Sequence, residues 1–326
     1  MEKQVDMSLM KARSYRRVLT TGIRLFTEKF RPLFKASWQM VTIYALCCGA
    51  LGTLATIKIP EMTMAMMQQM AVYQGIFATT LQQYSITLME ILALLLLVTV
   101  TLYLGSAPIL NKLKEHKETG NITTPPSWLT ASPKLMGRTL KGCLLTLLVW
   151  MVPMVLFAAA LATAEAMSPG FVLRHYITTL GALTVYILIV MLAALPLMYV
   201  LMKYIMEPPA TYWSTLRQSY GTGARHWGML FLVFFASTLM VVIASFIITL
   251  PASILQFANQ QAQTGLLMGD PLGMPSYMPW LTFATFTLCN FINFYVFQIT
   301  LVHNYYAYGS IEATQQERKQ QSKEIQ

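Results

Sequence analysis

Charged residues are scarce in this sequence, and their scarcity excludes an ordinary soluble domain. Asp, Glu, Lys and Arg make up only 11% of the 326 residues, whereas hydrophobic residues make up 56%. Soluble domains carry about 25% charged residues. Several apolar runs each reach the roughly 20 residues that an α-helix needs to cross a bilayer. The composition therefore predicts a membrane protein.

Cysteine and histidine are also rare, at four residues each. Cys47, Cys48, Cys143 and Cys289 all lie in apolar runs, so the sequence offers neither a disulfide framework nor a zinc-binding spacing. The histidines lie in separate segments and form no His-x-x-x-His pair. A nucleophile elbow and a phosphate-binding glycine loop are also missing. We therefore expect a protein that is not an enzyme and holds no cofactor.

Six apolar runs predict the fold, an all-α polytopic membrane helical bundle made of three hairpins. The predicted spans are residues 36–57, 86–110, 141–163, 177–202, 227–257 and 280–302. A basic arm, residues 1–35, precedes this six-helix transmembrane domain, residues 36–309, and a polar tail, residues 310–326, follows it. The runs are too long and unbroken for barrel strands, and a backbone in lipid must satisfy its own hydrogen bonds. Helices meet both conditions.

The basic residues predict the orientation of the chain. Of the 23 Lys and Arg residues, only Lys58 and Arg174 lie in the connections that follow the first and third spans. The others lie in the arm, in the connections after the second and fourth spans, or in the tail. Since Lys and Arg are retained on the cytoplasmic side, both termini are predicted to be cytoplasmic. The net charge of +10 follows from this topology, and no nucleic-acid partner is expected.

The basic arm has the pattern of an amphipathic helix. Apolar residues recur at helical spacing, and basic residues fit the rim of the same helix: Leu19, Ile23, Phe26 and Phe30, with Arg16, Arg17, Arg24 and Arg31. Such a helix lies in the headgroup region with its cations among anionic lipids. The arm is therefore predicted to bind anionic lipids of the inner leaflet, and Pro32 is expected to end it.

Small residues in the first span predict a close helix contact. Ala45, Gly49 and Thr53 follow one another at intervals of four residues, which lets two helix backbones approach each other. The partner helix belongs either to the same chain, to a second copy or to another membrane protein. The sequence leaves these alternatives open.

Polar side chains inside a membrane span are costly and mark candidate functional positions. Glu90 lies near the start of the second span, where it is either a cation or proton site or a carboxylate at the water interface. Asn290 and Asn293 share a face of the sixth span, with Gln298 further along it. These amides either line a hydrophilic path or bond a neighbouring helix.

Methionines are concentrated in the predicted outer connection after the first span. Met62, Met64, Met66, Met67 and Met70 fall within nine residues. Thioether sulfur is a soft ligand that selects Cu(I) over hard cations, and a methionine-rich segment is equally a flexible apolar surface for lipid or a partner. Capture of Cu(I) is one hypothesis for this segment.

The end of the sixth span carries a family resemblance. The segment Phe297-Gln298-Ile299-Thr300-Leu301-Val302-His303-Asn304-Tyr305-Tyr306, followed by Gly309-Ser310-Ile311-Glu312, resembles the corresponding end of poorly characterised bacterial six-helix membrane proteins. Those proteins are similar to the membrane domain of some glycerophosphodiester phosphodiesterases. The resemblance implies the bacterial cytoplasmic (inner) membrane and an accessory or transport-like role. We expect a membrane scaffold or accessory subunit, with a small-solute or ion transporter or channel as the alternative.

Overall fold

The computed structural model describes residues 7–72, 84–124, 133–167, 172–208, 210–267, 269 and 275–324. The regular secondary structure of these residues is entirely helical, with no β-strand among them. The eight helices of this described part are α1 Tyr15–Glu28, α2 Phe30–Val72, α3 Ser85–Thr119, α4 Pro133–Met167, α5 Val172–Met206, α6 Tyr212–Arg225, α7 Trp227–Leu267 and α8 Met278–Glu324. The predicted all-α class is therefore confirmed.

Five segments of these helices are long and apolar enough to cross a membrane. In the part of the chain that the structure describes they are Phe30–Thr63, Ser85–Thr119, Pro133–Pro153, Trp227–Gly265 and Met278–Glu324. Each overlaps one of the predicted spans. The remaining predicted span, residues 177–202, falls on α5, whose described apolar portion Leu192–Met206 is shorter. Five spanning helices are thus compatible with a membrane protein, and the sixth crossing stays a prediction.

Apolar side chains in the first half of α3 point away from the protein interior, whereas Ile109, Leu110 and Leu113 in its second half are buried. Ile86, Met89, Leu92 and Leu96 are between 67% and 71% exposed. In water, a contiguous apolar surface of this kind would be unfavourable by about 25 cal/mol per Å². In a bilayer the same side chains contact acyl chains. The outer face of α3 is therefore suited to lipid or to another membrane protein.

The helices extend further than the apolar runs predicted. α2 continues through Pro60 to Val72, so the methionine-rich segment has a helical backbone and is not a loop. α8 has 47 residues and is about 70 Å long at 1.5 Å per residue, more than twice the roughly 30 Å hydrocarbon core. The predicted boundary between residues 309 and 310 lies within α8, where the helix is unbroken.

The N-terminal arm is helical, as its periodicity predicted, but it packs on the protein. Val18, Leu25 and Phe26 are buried, and α1 contacts α8 and α7. Of the predicted apolar face, Phe26 is buried, whereas Ile23 and Phe30 are exposed, as are Arg16 and Arg17. The contact of this helix with anionic lipids stays a prediction.

The arm helix ends earlier than the proline predicted. α1 stops at Glu28, because Lys29 leaves the helical conformation. Pro32 lies in the first turn of α2, where its missing N–H removes no helical hydrogen bond. The expected end at Pro32 is wrong by one turn.

The core lies around α8, which contacts α1, α2, α3, α5 and α7. Fully buried side chains are concentrated near its second half, where Tyr305, Tyr306 and Tyr308 have no exposed surface. The residues before α1 also pack there. The Arg13 N–H donates to Ser310 Oγ at 2.8 Å, and the Ser310 hydroxyl donates to the Arg13 carbonyl at 3.0 Å. The two ends of the chain are thereby joined at one end of the bundle.

A proline in α5 shapes the position of α6. Pro196 has no N–H to donate to the carbonyl of Leu192 four residues earlier. The indole Nε1 of Trp227 donates to that carbonyl at 3.1 Å. Gly223 of α6 lies so close that a Cβ there would be 3.1 Å from the Cβ of Pro196. The proline thus creates a bonding site for α7 and a contact surface for α6.

Candidate functional site

A group of partly buried charges lies where α3, α5 and α8 meet. We call it the charged cluster; its members are Lys117, Tyr199, Lys203, Glu207, Tyr308 and Glu312. Lys117 and Glu312, the members furthest apart in the sequence, are separated by 195 positions. The tyrosine hydroxyls bond to the carboxylates, and Lys203 also contacts Glu312 directly. This arrangement is held together by the packing of three helices.

Glu312 is the acceptor at one side of the charged cluster. Its carboxylate is nearly buried, with 12% of the side chain exposed, and Lys203 Nζ lies 2.7 Å from Oε1. The hydroxyl of Tyr199 donates to the same oxygen. A buried carboxylate is stable only when it is paired and hydrogen-bonded, and Glu312 has both kinds of partner. α5 and α8 are thereby tied together.

Glu207 and Lys117 form the other side. The Tyr308 hydroxyl donates to Glu207 Oε1, and Lys117 Nζ donates to the Tyr308 hydroxyl at 3.1 Å. Lys117 also lies 3.9 Å from Glu207. The cluster contains two lysines and two glutamates, so its charges balance. Its geometry is that of a structural tie among three helices, because each carboxylate already has a cation and a hydroxyl partner.

The histidines do not converge on one point. His116 Nδ1 is 2.9 Å from the Tyr305 hydroxyl, and His226 Nδ1 is 3.0 Å from the Thr222 carbonyl. His303 is fully buried, with Nδ1 2.7 Å from Ser237 Oγ and Nε2 3.2 Å from the Leu19 carbonyl. Among the residues that the structure describes, no group of three His, Cys, Asp or Glu residues could hold a metal ion.

The predicted small-residue face lies between two helices of the same chain. A Cβ on Gly49 would be 2.1 Å from Thr287 Oγ1 and 3.0 Å from the Phe283 carbonyl of α8. Ala45 is fully buried, and the Thr53 hydroxyl donates to the Gly49 carbonyl at 2.8 Å. The backbone of α2 therefore approaches α8 at this point.

The predicted amides take different positions along α8. Gln298 is buried and its Nε2 donates to Ser106 Oγ of α3 at 3.1 Å. Asn290 Nδ2 donates to the Phe286 carbonyl of its own helix at 2.8 Å. Asn293 is buried, and its Oδ1, like Oε1 of Gln298, has no hydrogen-bond partner within the described part of the chain. One amide therefore bonds a neighbouring helix, and two buried acceptors remain unsatisfied.

The other sequence candidates lie at the edge of the described structure. Glu90 is exposed on α3. Met62 is half-buried on α2. Met64, Met66, Met67 and Met70 lie on the helical backbone of α2, and their side chains fall outside the described residues. The Cu(I) hypothesis stays a prediction.

The charged cluster is not predicted from the sequence, because its lysines indicate only the orientation of the chain in the membrane. Two local patterns point to it. Lys203 and Glu207 stand four residues apart on one helix face, and Tyr305, Tyr306 and Tyr308 lead directly into Glu312. Neither pattern names the partner helix, so the cluster emerges only from the fold.

The described part of the chain is all-helical, with five helices that could span a membrane. That is the general architecture of an integral membrane protein. No protein-family model, curated protein or solved structure matches the chain.

Proposed function

We propose that this chain is an integral membrane scaffold or accessory subunit of a bacterial cytoplasmic membrane. Six spans form three hairpins, and both termini lie in the cytoplasm. The distribution of Lys and Arg supports this orientation, since only Lys58 and Arg174 lie on the opposite side. The resemblance of the end of α8 to bacterial six-helix membrane proteins supports an accessory or transport-like role.

The observation that carries the proposal is the way in which buried polar groups bond neighbouring helices. Gln298 bonds Ser106 across α8 and α3, and Glu312 bonds Lys203 across α8 and α5. Side-to-side bonds of this kind fix helices relative to one another. A scaffold needs this rigidity, together with an apolar outer surface for membrane partners such as that of α3.

A transporter or channel is the second candidate, and one observation favours it. Asn293 Oδ1 and Gln298 Oε1 lie in the interior and have no hydrogen-bond partner among the described residues. A buried acceptor without a partner costs about 1–3 kcal/mol, and water or a passing solute would remove that cost. Access of water to this part of α8 therefore distinguishes a transporter from a scaffold.

Thiol accessibility tests the two functions. Cys47, Cys48, Cys143 and Cys289 are replaced by Ser, and Asn293→Cys is then introduced. A membrane-impermeant maleimide is applied to spheroplasts and to inverted vesicles. We expect Asn293→Cys to stay unlabelled from both sides, because the position is only 6% exposed.

Two further positions make the result interpretable. Tyr277→Cys, at an exposed site before α8, serves as the positive control and must react from one side. Asn290→Cys reports on the same helix one turn earlier. Labelling of Asn293→Cys from either side, in protein that retains its unfolding temperature, would contradict the scaffold and favour the transporter.

A further inference from the structure

An open groove lies between α4, α5 and α6. Its volume is about 490 Å³, and most of its lining is apolar, including Val149, Val190, Ala194, Leu197 and Leu216. Tyr220 lies at its α6 side, where its hydroxyl donates to the Ala193 carbonyl at 2.9 Å. The lining is suited to hydrocarbon, and the described residues that form it include no carboxylate.

Arg217 of α6 stands where this groove meets a second, more polar cavity. It lines both cavities, and the second is also lined by Trp213, Ser214 and Gln218. Arg217 is exposed. Within the described residues no carboxylate lies within 4.0 Å of its guanidinium. The site therefore offers an apolar groove, then a cation that has no carboxylate partner among the described residues, then hydroxyl and amide groups.

This order of groups matches the parts of one anionic phospholipid. An acyl chain fills an apolar groove, because an empty void forfeits the contacts of its lining. A phosphate accepts two parallel hydrogen bonds from a guanidinium. Hydroxyl and amide side chains bond a polar headgroup. Basic pockets between membrane helices are known to bind anionic headgroups.

We propose that the groove between α4, α5 and α6 binds one molecule of an anionic phospholipid, with its phosphate at Arg217 and an acyl chain against Val149, Val190 and Ala194. This site is distinct from the basic arm, because none of the described residues that line either cavity belongs to α1. The proposal requires a bilayer around α4 and α5, and it does not depend on whether the protein is a scaffold or a transporter. Loss of either function leaves it intact.

Native mass spectrometry of the full chain in detergent tests the site. The probes are phosphatidylglycerol and phosphatidylcholine of identical chain length, added in equal amounts. We expect one phosphatidylglycerol to bind in preference to phosphatidylcholine. Arg217→Gln should lower phosphatidylglycerol binding about fivefold, the effect of one cation on an anionic lipid, while phosphatidylcholine binding stays unchanged.

Two more variants separate the groove from general surface charge. Arg225→Gln removes another exposed cation of the same helix that lines neither cavity, and it should bind as the native chain does. Ala194→Phe fills the groove and should reduce the binding of both lipids. Circular dichroism confirms that each variant is folded.

Three outcomes would overturn the proposal. If Arg217→Gln binds phosphatidylglycerol as well as the native chain does, Arg217 does not bind the headgroup. If Arg225→Gln loses as much phosphatidylglycerol binding as Arg217→Gln does, the preference for this lipid reflects general surface charge. Displacement of phosphatidylglycerol by inorganic phosphate, with Ala194→Phe unaffected, would identify a phosphate site without an acyl-chain groove.

Discussion

At the scale of single residues, a missing side chain determines how closely α2 and α8 approach each other. Gly49 faces Thr287 and Phe283, where an added Cβ would meet Thr287 Oγ1 at 2.1 Å. The Phe283 carbonyl, at 3.0 Å from that Cβ, belongs to the helix backbone and cannot rotate away. Even one methyl group at position 49 therefore separates the two helices.

We predict that Gly49→Ala lowers the free energy of unfolding by about 1–3 kcal/mol, the usual cost of overpacking an interior. Thermal unfolding of the purified protein in detergent, followed by circular dichroism, measures the change. The loss should be larger for Gly49→Val, because its branched side chain adds two more carbon atoms at the same contact.

Gly228→Ala is the matched control for this prediction. Gly228 is also a helical glycine, on α7, but a Cβ there would meet nothing within 4 Å. Alanine has the higher helix propensity, so this variant should be as stable as the native chain or slightly more stable. Equal losses at positions 49 and 228 would contradict a close contact between α2 and α8.

At the scale of helices, the link between α5 and α7 depends on a bond that a proline makes necessary. The carbonyl of Leu192 lacks its helical donor because residue 196 is proline. If α5 crosses the bilayer as predicted, hydrocarbon offers no replacement donor. Trp227 Nε1 provides the donor at 3.1 Å, and the same indole ring stacks on Phe231 with ring centroids 5.1 Å apart.

Trp227→Phe should therefore lower the free energy of unfolding by about 1–3 kcal/mol, the cost of an unsatisfied acceptor. Phenylalanine keeps the aromatic stack on Phe231 and loses only the N–H group. Thermal unfolding in detergent again gives the measurement.

The background Pro196→Ala distinguishes this bond from loss of packing. Alanine at position 196 retains the Cβ that contacts Gly223 and restores an N–H for the Leu192 carbonyl. Trp227→Phe should cost about 1 kcal/mol less in that background than in the native chain. The same cost in both backgrounds would mean that the indole acts through packing alone.

The helices differ in how far sequence alone predicts them. Hydropathy located the five long apolar helices, because a run of about 20 apolar residues has few other solutions. It placed their ends too early, as in α2 and α8, since polar residues beyond the apolar run continue a helix without a hydropathy signal. It also missed α6, whose 14 residues contain no long apolar run.

At the scale of the whole molecule, the tightest packing is at one end of the bundle. There the segment before α1, the charged cluster and the tyrosines of α8 come together: Leu9 lies against Gly309, and His116 bonds Tyr305. These contacts join residues that are 300 and 189 positions apart in sequence, so composition and periodicity could not predict them. The sequence did predict Gln298 and Asn293 as buried-polar candidates, because polar groups in an apolar run are conspicuous without any knowledge of their partners.

The number of membrane crossings depends on α5, and the side of the membrane on which Thr211 lies reports whether α5 crosses. Residue 134 lies in the first turn of α4, and residue 211 follows α5. If both helices cross the bilayer, the two positions lie on the same side. If only α4 crosses, they lie on opposite sides. The crossing of α5 needs this test because its described apolar portion, Leu192–Met206, is only about 22 Å long at 1.5 Å per residue.

We predict six crossings with both termini in the cytoplasm. In the chain without native cysteines, Lys134→Cys, Thr211→Cys and Glu317→Cys should all react with an impermeant maleimide in inverted vesicles and not in spheroplasts. Each position is exposed, so lack of reaction reports the side of the membrane and not burial. Tyr277→Cys should show the opposite pattern. Thr211→Cys that reacts in spheroplasts, while Lys134→Cys does not, would leave α5 on one side of the membrane and contradict the three-hairpin topology.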